Sequence, residues 1–221
     1  MTDVNSIIAP SSAAKVIASL RRINRSATSA PAPTTGECDL CAAPIADTHE
    51  HLLDLNSRKL MCSCHPCALL FSSQSTKKFR LVPSRAQLLT DLHLTDLQWN
   101  SLGVPINLAF FFRSSLRKQV LAVYPSPGGA TESELSIDAW DALLVDHPQI
   151  ADLPEDVEAL LVNRMHGAND CYRVSIDHCY QLVGLVRKHW RGLSGGAEIW
   201  KQIGVFFDHL KSSSRGDRRH A

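Results

Sequence analysis

The chain has 221 residues, 44% hydrophobic and 20% charged, the make-up of an ordinary globular protein with room for one substantial domain and a small module. A net charge of +1 excludes the strong basic excess of a dedicated nucleic-acid or membrane-surface binder, and no apolar run approaches the roughly 20 residues that span a bilayer. The opening MTDVNSIIAP lacks the basic and apolar regions of a secretory signal, so a cytoplasmic protein is expected, in which seven cysteines point to metal ligation rather than disulfides.

Charge is spread unevenly. Residues 1–37 carry four Lys/Arg and two acids, residues 211–221 carry four and one, and residues 38–210 carry fifteen and nineteen. Both basic ends are rich in small polar residues. Residues 1–37 are therefore expected to be a flexible segment with one short helix, and residues 211–221 a disordered basic tail. The helix falls within 11–25, where Val16, Ile17, Leu20 and Ile23 share a stripe, and the Ala/Pro/Ser/Thr-rich stretch 26–36 reads as a linker.

A cysteine module is expected over 38–72. In it His51–Leu55 and Lys59–Cys62 read as the arms of a hairpin with Asn56 and Ser57 at the turn. An α+β domain is expected over 78–210. It opens with a strand at Phe79–Val82, stopped by Pro83. Thr95 is placed to cap a short helix holding Leu97 and Trp99, which Gly103 closes. Ile106–Phe112 and Gln119–Tyr124 then read as strands, as do Ala159–Met165 and Tyr172–Ser175 after the turn-rich residues 166–170.

Each strand pair is followed by a similar phrase, Ser136-Ile137-Asp138 and Ser175-Ile176-Asp177, whose Ser or Asp can cap a helix. The first helix aligns Ile137, Trp140, Leu143 and Leu144, and the second aligns Cys179, Leu182, Val183 and Val186. Two strand–strand–helix units in series predict a mainly antiparallel sheet with helices packed on one face. A last helix, Ala197 to Ser212, carries Ile199, Trp200, Ile203, Phe206 and Phe207. The loops at Gly128-Gly129 and Gly195-Gly196 fit no phosphate-binding fingerprint and read as turns. Cys171 and Cys179 read as small core residues.

Two Cys-x-x-Cys pairs, Cys38/Cys41 and Cys64/Cys67, are 22 residues apart. A two-residue gap lets a tight turn aim both sulfurs at one ion, and two such turns complete a tetrahedron. The expectation is a zinc-ribbon-like module of two knuckles joined by a hairpin, ligated by Cys38, Cys41, Cys64 and Cys67. Zinc is the expected ion and a rubredoxin-type iron the alternative. Ala42 and Ala68 stand where a rubredoxin knuckle has glycine, which favours zinc. Cys62, two residues before Cys64, is either a replacement for it or a spare thiol. His49 and His51 read as exposed hairpin histidines, with a mixed metal site as the other reading.

Further phrases carry a resemblance: His51-Leu52-Leu53-Asp54-Leu55, Cys62-Ser63-Cys64-His65-Pro66-Cys67, Ala109-Phe110-Phe111-Phe112-Arg113-Ser114-Ser115, Tyr124-Pro125-Ser126-Pro127-Gly128-Gly129 and His189-Trp190-Arg191-Gly192. Over about residues 37–210 the chain resembles a bacterial, largely actinobacterial family of unknown function, whose genes often lie near those of oxygen-tolerant nickel–iron hydrogenases. That resemblance implies an accessory or maturation role with a hydrogenase subunit or maturation factor as partner, and it assigns no catalytic residue. No Ser/His/Asp or paired-carboxylate spacing argues for catalysis either. The expectation is a non-enzymatic metal-binding accessory protein. An iron electron carrier is one alternative. A nucleic-acid-binding zinc module is the other, although Asp39, Asp47, Glu50 and Asp54 outnumber Arg58 and Lys59 there.

Overall fold

The computed structural model describes residues 34–72, 78–192 and 194–217. The helix expected within 11–25 and the linker up to residue 33 lie outside these residues. The protein is a mixed α+β structure with three antiparallel sheets. Strands β1 (Thr34–Glu37) and β2 (Pro44–Ala46) form a two-stranded ribbon. Strands β3 (Glu50–Asp54) and β4 (Leu60–Ser63) form the expected hairpin, and helix α1 (His65–Ser72) follows. The hairpin turn is fixed by the Asp54 carboxylate, which accepts the N–H groups of Asn56 and Ser57 at 2.9 and 3.3 Å.

Strand β5 (Phe79–Val82) ends before Pro83 as expected, but it pairs with β3 as the third strand of the hairpin's sheet, Leu52 facing Leu81. The larger sheet holds six strands in the order β6-β11-β10-β7-β8-β9, all antiparallel. These are β6 (Ala86–Leu88), β7 (Leu108–Ser114), β8 (Gln119–Ser126), β9 (Gly129–Ser133), β10 (Glu158–Asn163) and β11 (Asp170–Ser175). The turn expected at Gly128-Gly129 lies between β8 and β9, where Ser126 pairs with Gly129.

Helices cover both faces of this sheet, not one. Leu108, Phe110 and Phe112 of β7 pack with α4 (Ile176–His189) and α5 (Gly196–Asp217). Ala109 and Phe111 face the other way, toward Trp99 of α2 (Asp96–Ser101) and Trp140 of α3 (Ile137–Asp146). The Phe111 ring lies 6.1 Å from Trp99 and 5.3 Å from Trp140. The physical reason is in β7 and β10, whose apolar runs do not alternate. A strand apolar on successive residues must be buried on both sides. The two strand–strand–helix units are therefore not equivalent copies. The first gains the extra strand β9 and sends α3 to the face opposite α4.

Local signals set the helix ends. Thr95 and Gln98 form the reciprocal capping box of α2, and Ser136 Oγ accepts the Ala139 N–H at α3. Helix α5 continues past the expected end at Ser212 to Asp217, which corrects the expected tail from Lys211. Its face carries on through buried Leu210 and Ser214, and the Ser212, Ser213 and Ser214 hydroxyls donate to carbonyls four residues back. Residues 218–221 lie outside the description. Among the described residues no helix is long and apolar enough to cross a membrane.

Candidate metal centre

The ribbon β1–β2 is the frame of the first cysteine pair. Between its arms, Cys38 N–H donates to the Ala43 carbonyl and Ala42 N–H to the Cys38 carbonyl, both at 2.8 Å. The chain reverses through Ala42 at φ +55°, a left-handed conformation that costs a residue with a Cβ about 1–2 kcal/mol. Alanine thus occupies the conformation that glycine usually supplies in such a turn.

The second pair is built differently. Cys64 immediately precedes α1 and Cys67 lies in its first turn, with Ala68 N–H donating to the Cys64 carbonyl at 2.9 Å. The module is therefore one knuckle, a hairpin and a helix N-terminus, in place of the two knuckles expected. Asp39 locks the knuckle to β4, because its N–H donates to the Cys62 carbonyl at 2.9 Å and its carboxylate accepts the Cys62 N–H at 2.7 Å.

These elements bring the Sγ atoms of Cys38, Cys41, Cys64 and Cys67 within 4.8 Å of one another. Cys41 and Cys64 are 3.6 Å apart, close to the roughly 3.8 Å edge of a tetrahedron with metal–sulfur bonds of about 2.3 Å. The donor set and spacing fit a metal ion. Burial opposes ionisation of Cys38, but N–H groups of Cys64, Leu40 and Cys41 point at its sulfur and hold its pKa down at about 6. Burial and the neighbouring thiols push Cys67 up to about 12. The Ala43 N–H favours the Cys41 thiolate, yet the sulfurs of Cys38 and Cys64 raise its pKa. Cys38 is thus drawn toward its thiolate while burial and the other thiols hold Cys67 back. A cation at the centre removes this conflict.

Cys62 is not in this set. It sits directly across the hairpin from His51, and His49, His51 and Cys62 place their ligand atoms within 4.8 Å of one another. The two histidines, expected to be exposed, are half-buried. The sequence left Cys62 as either a replacement for Cys64 or a spare thiol, because two residues apart on a strand they would share a face. Cys64 has left the strand, so parity no longer applies.

His51 also reaches Asp177 at the start of α4, with Nδ1 3.2 Å from Oδ2. Burial would raise the Asp177 pKa, but hydrogen bonds from His178, His51 and Ser175 hold the carboxyl well below the usual carboxylate range. Ser175, Asp177 and His178 thus meet, yet not as a nucleophilic triad. Ser175 is fully buried and gives its proton to Asp177 at 2.5 Å, so His178 Nδ1, 2.8 Å from Ser175 Oγ, acts as donor. Cys171 and Cys179 are fully buried in the core on either face of the sheet.

No curated protein and no solved structure matches the chain. The phrases that carry the cysteine cluster and the large sheet nevertheless fall within one family model, which matches residues 37–214. The chain belongs to the family of unknown function DUF5947.

Proposed function

We propose that this protein is a non-enzymatic accessory protein. Its cysteine module holds one structural zinc ion through Cys38, Cys41, Cys64 and Cys67, and its α+β body docks on a protein partner. The observation that carries this reading is the convergence of four sulfurs at the end of the module that lies outside the main core. Among the described residues, the cluster around them buries Cys38, Ile45 and Cys67 and half-buries Leu40 and Phe71. The hairpin is held by the main core through Leu53 and Leu55, but burial on that small scale does not order the knuckle and the start of α1, so metal ligation supplies the missing stability there. A closed four-thiolate site with no open position is structural in character. Zinc is favoured over iron because the second pair opens a helix, unlike the paired knuckles of a rubredoxin-type centre.

The partner class comes from the resemblance to a family encoded near nickel–iron hydrogenases, and a hydrogenase subunit or maturation factor is the proposed partner. Leu69 and Leu70 on α1 are 55% and 56% exposed, an apolar pair beside the metal that suits a protein contact. The surface is poor for nucleic acid. Arg58 lies over the Phe112 ring and is bound to Glu132 and Tyr180, so it is not free for phosphate.

Elemental analysis of untagged protein, with a visible spectrum, tests the metal. One equivalent of zinc that is lost in Cys38→Ser or Cys67→Ser supports the reading, and a red protein that bleaches on reduction overturns it. Co-purification with the hydrogenase tests the partner. Unchanged hydrogenase activity in a strain lacking the gene would remove that role.

A further inference from the structure

The trio beside the four-cysteine cluster has the outer partners of a metal site of its own. His49 directly precedes β3 and His51 is its second residue, so strand alternation puts both rings on one side. They meet edge to face with centroids 4.8 Å apart. His49 Nδ1 is 2.8 Å from the Ala46 carbonyl oxygen and must donate to it, so Nε2 is the nitrogen left to bind a ligand. That Nε2 is buried and has no hydrogen-bond partner. His51 Nδ1 donates to the Asp177 carboxylate, so its Nε2 is likewise the nitrogen left for a ligand bond. A carbonyl behind one imidazole and a carboxylate behind the other are the contacts that fix tautomer and ring orientation in histidine metal ligands. The Cys62 thiol lies across the hairpin from His51 and completes the set.

We infer that His49, His51 and Cys62 form a second metal site, separate from the four-cysteine site and selective for zinc-like divalent ions. Two imidazoles and a thiolate suit late first-row ions and are poor ligands for magnesium or calcium. Three protein ligands leave the ion a fourth position for water or an incoming group, the arrangement of exchangeable rather than closed zinc sites. Binding releases the Cys62 proton to solvent. Asp177 is a positioning residue that acts through His51, and it is itself held by Ser175 and His178. The site therefore joins the metal module to the first turn of α4.

The test is a metal count on the full chain, equilibrated with excess Zn2+ and separated from free ion, followed by a Co2+ titration. Two equivalents are expected. Cys62→Ser and His51→Ala should each lose one and keep the other, and the retained four-cysteine equivalent reports that the hairpin has folded. Cys38→Ser should lose the complementary equivalent, so failure of the four-cysteine reading is seen separately. Asp177→Asn should weaken only the exchangeable equivalent, by about 10–100-fold. In the Co2+ form, Cys62→Ser should remove sulfur-to-cobalt absorption belonging to the second equivalent alone. Saturation of the wild-type chain at one equivalent that Cys62→Ser keeps and Cys38→Ser loses would overturn the inference, as would a Cys62→Ser chain that still binds two.

Discussion

Gly103 closes α2 at φ +75°, and a Cβ there would lie 2.8 Å from the Glu134 carbonyl oxygen. Gly103→Ala adds the left-handed penalty of about 1–2 kcal/mol to a contact with backbone that cannot swing aside. Urea unfolding should show a loss of at least about 2 kcal/mol with an unchanged slope. This glycine and the Thr95 cap before it were readable in the sequence because their partners lie within a few residues. The contact of His51 with Asp177 spans 126 positions, and no local pattern announces it. The same holds for Cys62. Its neighbours in sequence suggested the four-cysteine set, whereas the fold brings it beside His49 and His51.

At the scale of elements, the four cysteines were legible because a Cys-x-x-Cys pair encodes its own geometry. That the second pair would open a helix was not, since a turn and a first helical turn use the same spacing. Metal loss should therefore act unevenly. In Cys38→Ser or Cys67→Ser, hydrogen exchange should rise at least a hundredfold in residues 38–46 and 65–72, equivalent to about 3 kcal/mol. Strands β3 and β5 should stay protected, because Leu53 and Val82 belong to the main core. Uniform loss of protection across 34–82 would contradict this division. The helices on both faces of the large sheet were also within reach of the sequence. The unbroken apolar runs of β7 and β10 state two-sided burial, but the repeated Ser-Ile-Asp phrase suggested equivalent units and drew attention from them.

For the whole molecule, the hairpin and the body are one packed unit. Leu53 and Leu55 meet Phe112, Ile176 and Tyr180 around a void of about 10 Å³, room for no more than one water. Arg80 adds a hydrogen bond to the Glu155 carbonyl at 2.7 Å and a contact with Asp156 at 3.3 Å. A chain beginning at residue 78 would bare this surface, forfeiting about 1.5–3 kcal/mol for each buried leucine, and would leave β5 without a partner. Such a fragment should run as aggregate in size-exclusion chromatography, whereas the intact Cys38→Ser chain should elute as the wild type does.

The continuous apolar strand β7 also has a consequence in time. Its inner neighbour β10 follows after residue 157, with Phe111 waiting for Leu160, and the helices that cover one face end at Asp217. At about 5–20 residues per second, a ribosome takes roughly 5–20 s to make the hundred residues that bury Phe110, Phe111 and Phe112. Through that interval the β7–β8 hairpin presents an open edge and two greasy faces, the conditions under which strands join strands of other chains. Refolding yield from denaturant should therefore fall steeply with protein concentration, and a peptide spanning 108–126 added in trans should lower it further.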